Sequence, residues 1–145
     1  ADVVGEQNKL NNVATSTTFI TVDDSLGEKP DLIIENLNLP TQNFPKNWED
    51  KLSYQLTVTN AGLQDAEKFK YKVYLCGDDQ VFDEECIEIS DANSQIFSLS
   101  ADNGLPINRN WTVPAGTADG TYCIYAEADT ENVSAESNED NNTTW

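Results

Sequence analysis

Apolar and polar residues alternate with period two along much of the chain, the pattern of half-buried strands. Residues 51–60 (KLSYQLTVTN) alternate most cleanly, with Leu52, Tyr54, Leu56 and Val58 on one side and Ser53, Gln55, Thr57 and Thr59 on the other. Residues 69–76 send Phe69, Tyr71, Val73 and Leu75 one way and Lys70, Lys72 and Tyr74 the other. Segments 31–37, 86–90, 95–100, 106–114 and 120–129 read as further strands, the last with Tyr122, Ile124 and Ala126 inward. Turn residues separate them at Asn60-Ala61-Gly62, Gly77-Asp78-Asp79, Asp102-Asn103-Gly104, Pro114-Ala115-Gly116 and Asp119-Gly120. No window carries a helical stripe. Short alternating strands joined by polar turns predict an all-β, antiparallel sandwich of about seven strands.

The ends of the chain match each other. Subtracting 130 from the numbers of Val133, Glu136, Asn138, Asn141 and Asn142 lands on Val3, Glu6, Asn8, Asn11 and Asn12. After its Asn pair the first copy continues into VATSTTFITV (residues 13–22), an alternating β-branched segment that reads as an extra N-terminal strand. The second copy reaches Trp145 where that strand would begin. Residues 1–29 therefore read as a strand and linker equivalent to the end of a preceding repeat. Residues 30–145 read as a sandwich lacking its last strand. Thr15, Thr17, Phe19, Ile20 and Val22 form the candidate assembly strand. Three arrangements are open to it: folding back on its own sandwich, completing a preceding repeat, or inserting into another copy by β-augmentation. The last is a head-to-tail contact that builds an open filament.

Composition narrows the partners. With 26 acidic and 8 basic residues and no His, the formal net charge is −18. Such a surface repels phosphate backbones and anionic membranes. Divalent cations, cationic partners and neutral sugars stay compatible with it, and the plainer reading is charge that keeps the chain soluble. No apolar run is long enough to span a bilayer, so no membrane insertion is expected. The start at Ala1 fits a chain after signal removal or a trimmed piece. Sequons at Asn110, Asn132, Asn141 and Asn142 are candidate glycosylation sites if the chain is secreted.

PDLIIENLNLP, LTVTNAG, VYLCGDDQVFDEECIEI, VPAGTADGTY and AEADTENVSAESNEDNN, in that order, resemble the CARDB domain, the cell-adhesion-related domain found in bacteria and also in archaeal surface proteins. The resemblance runs from about Pro30 to Asn142. It implies an immunoglobulin-like sandwich of seven strands, often in tandem, on secreted and cell-surface proteins, and it implies no catalysis. Glu136, Asn138, Glu139, Asn141 and Asn142 then form a structural corner before the final strand, with the Asn141 and Asn142 amides bonding backbone. The chain departs from the family by placing Cys76 and Cys86 on either side of the loop GDDQVFDEE. Alternation puts both sulfurs on the outer face at the base of that loop, where a disulfide between them would close it. Cys123 alternates outward too and is an alternative partner for Cys76 if their strands are neighbours.

Asp78, Asp79, Asp83 and Glu84, with Glu85 beside them, offer oxygen ligands of the kind Ca²⁺ takes, but their spacing matches no Ca²⁺ loop. Asp129, Glu136, Glu139 and Asp140 stand on the same footing, and solvated charge competes as a reading of both groups. No other cofactor is expected. Without His, and without a base for Cys123, no catalytic constellation is present. An enzyme is therefore not expected. The sequence reading is an extracellular structural or adhesive module that partners copies of itself or neighbouring repeats. The alternative is a spacer or carbohydrate-binding module cut from a larger secreted protein. It would meet a cell-surface glycan or protein through Trp48, Trp111, Trp145 and Tyr125, although Trp111 is in phase with the core positions Ile107 and Val113.

Overall fold

A computed structural model describes residues 28–39, 51–92, 94–114 and 116–145. The extra strand expected at 13–22, and Trp48, lie outside the described residues. Eight strands are present among them: β1 (Leu32–Asn38), β2 (Lys51–Asn60), β3 (Phe69–Gly77), β4 (Ile87–Glu88), β5 (Gln95–Ile96), β6 (Asn103–Thr112), β7 (Tyr122–Ala128) and β8 (Thr143–Thr144). They form two sheets in the orders β1-β2-β6 and β4-β3-β7-β8, with β5 pairing β3, and every pairing is antiparallel. This is the all-β antiparallel sandwich that the alternation predicts, of the immunoglobulin-like kind that the resemblance implies.

The inward residues are those the period assigns. Leu52, Tyr54, Leu56 and Val58 of β2 meet Phe69, Tyr71, Val73 and Leu75 of β3 and Ile124, Ala126 and Ala128 of β7 in one core. Trp111 and Val113 are partly buried against that core, as their phase with buried Ile107 requires. A fully buried side chain of this size contributes about 1.5–3 kcal/mol, so the facing rows of β2 and β3 carry much of the stabilisation.

Several boundaries differ from the sequence expectation. β6 begins at Asn103, so Asn103 and Gly104 are strand residues rather than part of a turn; they pair with Asn60 and Thr59 at the end of a ten-residue ladder with β2. The turn lies one step earlier, where Asp102 takes a φ of 54°. Aspartate tolerates this left-handed conformation because its side chain bonds locally. The strand expected over 86–90 is paired only at Ile87 and Glu88, and the one over 95–100 is broken into a pairing at Gln95 and Ile96 and a separate antiparallel bridge from Leu99 to Ala66. In the latter the alternation fails: Ile96 and Leu99 are buried, three apart, and Phe97 is 77% exposed.

The start of β1 is clasped from two sides. On one, the 60–63 turn crosses it, with Ala61 N donating to Asp31 O and Leu63 N to Lys29 O. Gly62 is required there, since a Cβ would come within 2.3 Å of Lys29 O and 2.5 Å of Asp31 N. Buried Asn60 fastens the crossing: its Oδ1 accepts from Asp31 N and Gly62 N, and its Nδ2 donates to Gln64 O and Leu99 O. On the other side Ser137 N donates to Pro30 O, which brings in the acidic corner near the C-terminus.

Candidate functional site

The corner before β8 is built from carboxylates that accept amide hydrogens. Asp129 leaves β7 with a φ of 46° and accepts from Val133 N and Ser134 N through its two oxygens. Glu139 Oε1 accepts from Glu136 N, and Asn138 Oδ1 from Asp140 N. Glu136 points inward and is 4% exposed. Its Oε2 accepts from Leu32 N at 2.5 Å and its Oε1 from Asn142 Nδ2 at 2.7 Å. Burial pushes the Glu136 carboxyl up to about 7, against which the two hydrogen bonds pull down and Glu139 and Asp129 push up. The Asn141 and Asn142 amides were expected to bond backbone, and the partners differ. Asn141 Nδ2 donates to Asp31 Oδ1 and Asn142 Nδ2 to Glu136, so both reach side-chain carboxylates. The backbone of Asn142 instead serves the sheet, its carbonyl accepting from Ala128 N. The corner thereby ties the end of the sandwich to the first residues of β1.

The acidic loop after β3 folds back over the outer face of its own sheet. Cys76 and Cys86 are joined in a disulfide, and Cys76 is 1% exposed because the loop covers it. The β3–β7 register sets Cys123 directly opposite Cys76, so both cysteines named as partners for Cys76 are adjacent to it. The Cys123 thiol donates to Gly77 O at 2.9 Å. Burial, and then the carboxylates of Asp79 and Asp78, push that thiol above its ordinary value, while hydrogen bonds with backbone groups pull it down.

Among the described residues no three His, Cys, Asp or Glu side chains gather in a way that could hold a metal ion. Asp79 Oδ1 accepts from Val81 N and Asp83 Oδ1 from Glu85 N, so these two carboxylates serve the turns of the loop, and Asp78 and Glu84 are exposed. Of the sequons, Asn110 and Asn132 are exposed. Asn142 is buried, and the amide nitrogens of Asn141 and Asn142 are engaged with Asp31 and Glu136, so these two offer no free amide.

Phe82, at the tip of the acidic loop, was not among the residues singled out from sequence. It stacks on Tyr125 with centroids 4.6 Å apart and meets Tyr74 edge-on at 4.9 Å. Trp145 packs on Tyr125 at 4.9 Å. Four rings thus form one cluster on the outer face, with Phe82 48% and Trp145 38% exposed. The only signal for Phe82 in the sequence was an aromatic residue inside a polar loop. Beside the cluster, Lys72 pairs with Glu88 at 3.1 Å, and burial raises the Glu127 carboxyl while Lys72 lowers it.

The β7 edge is the remaining feature. β8 pairs with Ala126 and Glu127 alone. Among the described residues, Tyr122 to Tyr125 have β3 on one side and no strand on the other.

The CARDB family model matches residues 29–145. Among solved structures, the chain is similar to the CARDB domain of a Pyrococcus furiosus protein crystallised in complex with di-metal ions. That similarity is 27% identity and a TM-score of 0.57, over 85% of this chain and 93% of the other. It is also similar to a domain of a Methanosarcina acetivorans protein classed as a candidate cell surface protein, at 27% identity and a TM-score of 0.51, over 80% and 87% of the two chains. No curated protein matches it.

Proposed function

The chain belongs to the CARDB family, and we propose that it is an extracellular, surface-located structural module that joins copies of itself head to tail by strand donation. The observation that carries this reading is the agreement between the β7 edge and the segment at 13–22. β8 sets Thr144 opposite Ala126 and Thr143 opposite Glu127. Continuing that register, Trp145 comes opposite Tyr125, and the next three positions face Ile124, Cys123 and Tyr122. Under the 130-residue match between the two ends, those positions correspond to Ser16, Thr17 and Thr18. Side chains directly opposite each other share a face. Ser16 and Thr18 would therefore point inward beside Ile124 and Tyr122, followed by Ile20 and Val22, while Thr17 would lie outside against Cys123. Strand addition satisfies the backbone groups of an edge that proteins otherwise keep covered. The surface location is supported by the Methanosarcina relative.

The test is a Thr17→Cys variant oxidised gently and run without reductant. Linkage of the introduced thiol to Cys123 in a ladder of multimers is the expected result. The same bond confined to monomers would mean that the strand folds back on its own sandwich. No bond at all would remove the pairing. Light scattering on the unmodified chain should show mass rising with concentration, and deletion of residues 1–22 should abolish the rise.

The ring cluster favours a second reading, a carbohydrate-binding module, because it brings Tyr125 and Trp145 together with Tyr74 and Phe82. A neutral sugar could stack on the exposed faces of Phe82 and Trp145, whose surroundings repel anions. A glycan array on which Phe82→Ala and Trp145→Ala lose a signal seen with the parent chain would support it; no signal with the parent would remove it.

A further inference from the structure

Three sulfur atoms share one patch of the outer face, and two of them are bonded. Cys76 and Cys123 are opposed in the β3–β7 ladder, so their side chains leave the sheet on the same side. Opposed Cα atoms in an antiparallel pair lie about 4.5–5.5 Å apart, inside the roughly 4.4–6.8 Å range that disulfides span. Cys76 nonetheless holds Cys86, across a loop of sequence separation 10. The Cys123 thiol rests against the carbonyl of Gly77, the residue next to Cys76. Cys76 therefore has two sterically admissible partners and is bonded to one.

We propose that Cys123 is an exchange partner for this disulfide: its thiolate attacks Cys76 Sγ, forms a Cys76–Cys123 bond and releases Cys86. One S–S bond forms and one breaks. The proton lost by Cys123 is balanced by one gained at Cys86, and no oxidant or reductant takes part. The exchange removes the covalent clamp from the acidic loop, leaving the stacking of Phe82 on Tyr125 and Tyr74 to hold it down. It also converts half-exposed Cys86 into a thiol on a loop, able to form a mixed disulfide with a thiol-bearing partner.

The charges around Cys123 set the rate. Asp78 and Asp79 approach it from the loop, which also carries Asp83, Glu84 and Glu85. Tyr74 on β3 and Tyr125 on β7 are the nearest ionisable residues in the rows facing that side of the sheet. Burial and the two aspartates hold the thiol protonated near neutrality. Because the thiolate is the attacking species, the rate should rise roughly tenfold per pH unit until Cys123 ionises.

The unmodified chain, held without added thiol from about pH 7 to about pH 9 and sampled into a maleimide at mildly acidic pH, tests the step by peptide mapping. Label should begin on Cys123 and appear with time on Cys86, together with a Cys76–Cys123 linked peptide. The rate should be independent of protein concentration, and Cys123→Ser should never show label at Cys86. In Cys86→Ser treated with oxidised glutathione, a Cys76–Cys123 bond should form. Label confined to Cys123 throughout the pH range overturns the proposal. So does a rate proportional to protein concentration, which would place the exchange between neighbouring chains.

Discussion

Glu136 is held by two hydrogen bonds and yet carries a carboxyl pushed up to about 7, because burial outweighs what Leu32 N and Asn142 Nδ2 return. The sign of the consequence is definite. A carboxyl raised in the folded state holds its proton where the unfolded chain has lost it. The associated stability is fully present below the ordinary carboxylate range near 4.5 and is lost as pH rises through about 7. Glu136→Gln stays neutral throughout. Its amide can donate to Asn142 Oδ1, which has no partner among the described residues, once the Asn142 amide turns over. The melting temperature of the variant should match the parent near pH 5 and exceed it increasingly towards pH 8; thermal unfolding across that range checks it. Asn60 is the opposite case, a buried side chain with both ends satisfied. Asn60→Ala strands Asp31 N and Gly62 N, while Leu99 O keeps Ala66 N as a donor, and urea unfolding should show a loss of about 2–3 kcal/mol.

At the scale of elements, the acidic loop is fastened to its sheet twice, by the Cys76–Cys86 bond and by Phe82 across Tyr74 and Tyr125. Aromatic pairs contribute about 0.5–1.5 kcal/mol beyond burial, so Phe82→Ala should cost on the order of 1–2 kcal/mol in urea unfolding with the disulfide intact. If the covalent clamp alone held the loop, the loss would be close to zero. The alternation in β2, β3 and β7 was legible because each packs one face on the core and its ladder enforces the period. β4 and β5 were legible only as segments, since two-residue pairings leave too few alternating positions to mark their ends. The Asn103-Gly104 pair misled for a physical reason. Turn-forming residues at the start of a strand are tolerated when a ten-residue partner such as β2 supplies the ladder.

For the whole molecule, a net charge of −18 means that joining copies brings like charges together. Screening with a Debye length of about 10 Å at 0.1 M should relieve this, so assembly measured by light scattering should increase from low to moderate salt. Assembly that weakens with salt would mean that ion pairs, not strand pairing, hold the copies. The acidic loop and corner do not converge on a cation among the described residues. Ca²⁺ should therefore move the melting temperature no more than Na⁺ at equal ionic strength.

The sequence alone determined the fold class, the inward rows of the long strands and the turn chemistry between them, because period and turn preference are local properties of the backbone. Alternation also placed all three sulfurs outward, and only the β3–β7 pairing set Cys123 opposite Cys76. Tertiary structure decided what those residues do. The corner at 136–142 proved to be the clasp on Pro30 to Leu32, a contact across more than a hundred residues that no local pattern encodes. The choice of Cys86 over Cys123, the arrival of Phe82 on Tyr125 and the short reach of β8 along β7 likewise depend on which strands become neighbours. Long-range pairing sets that, and the period of a single strand does not.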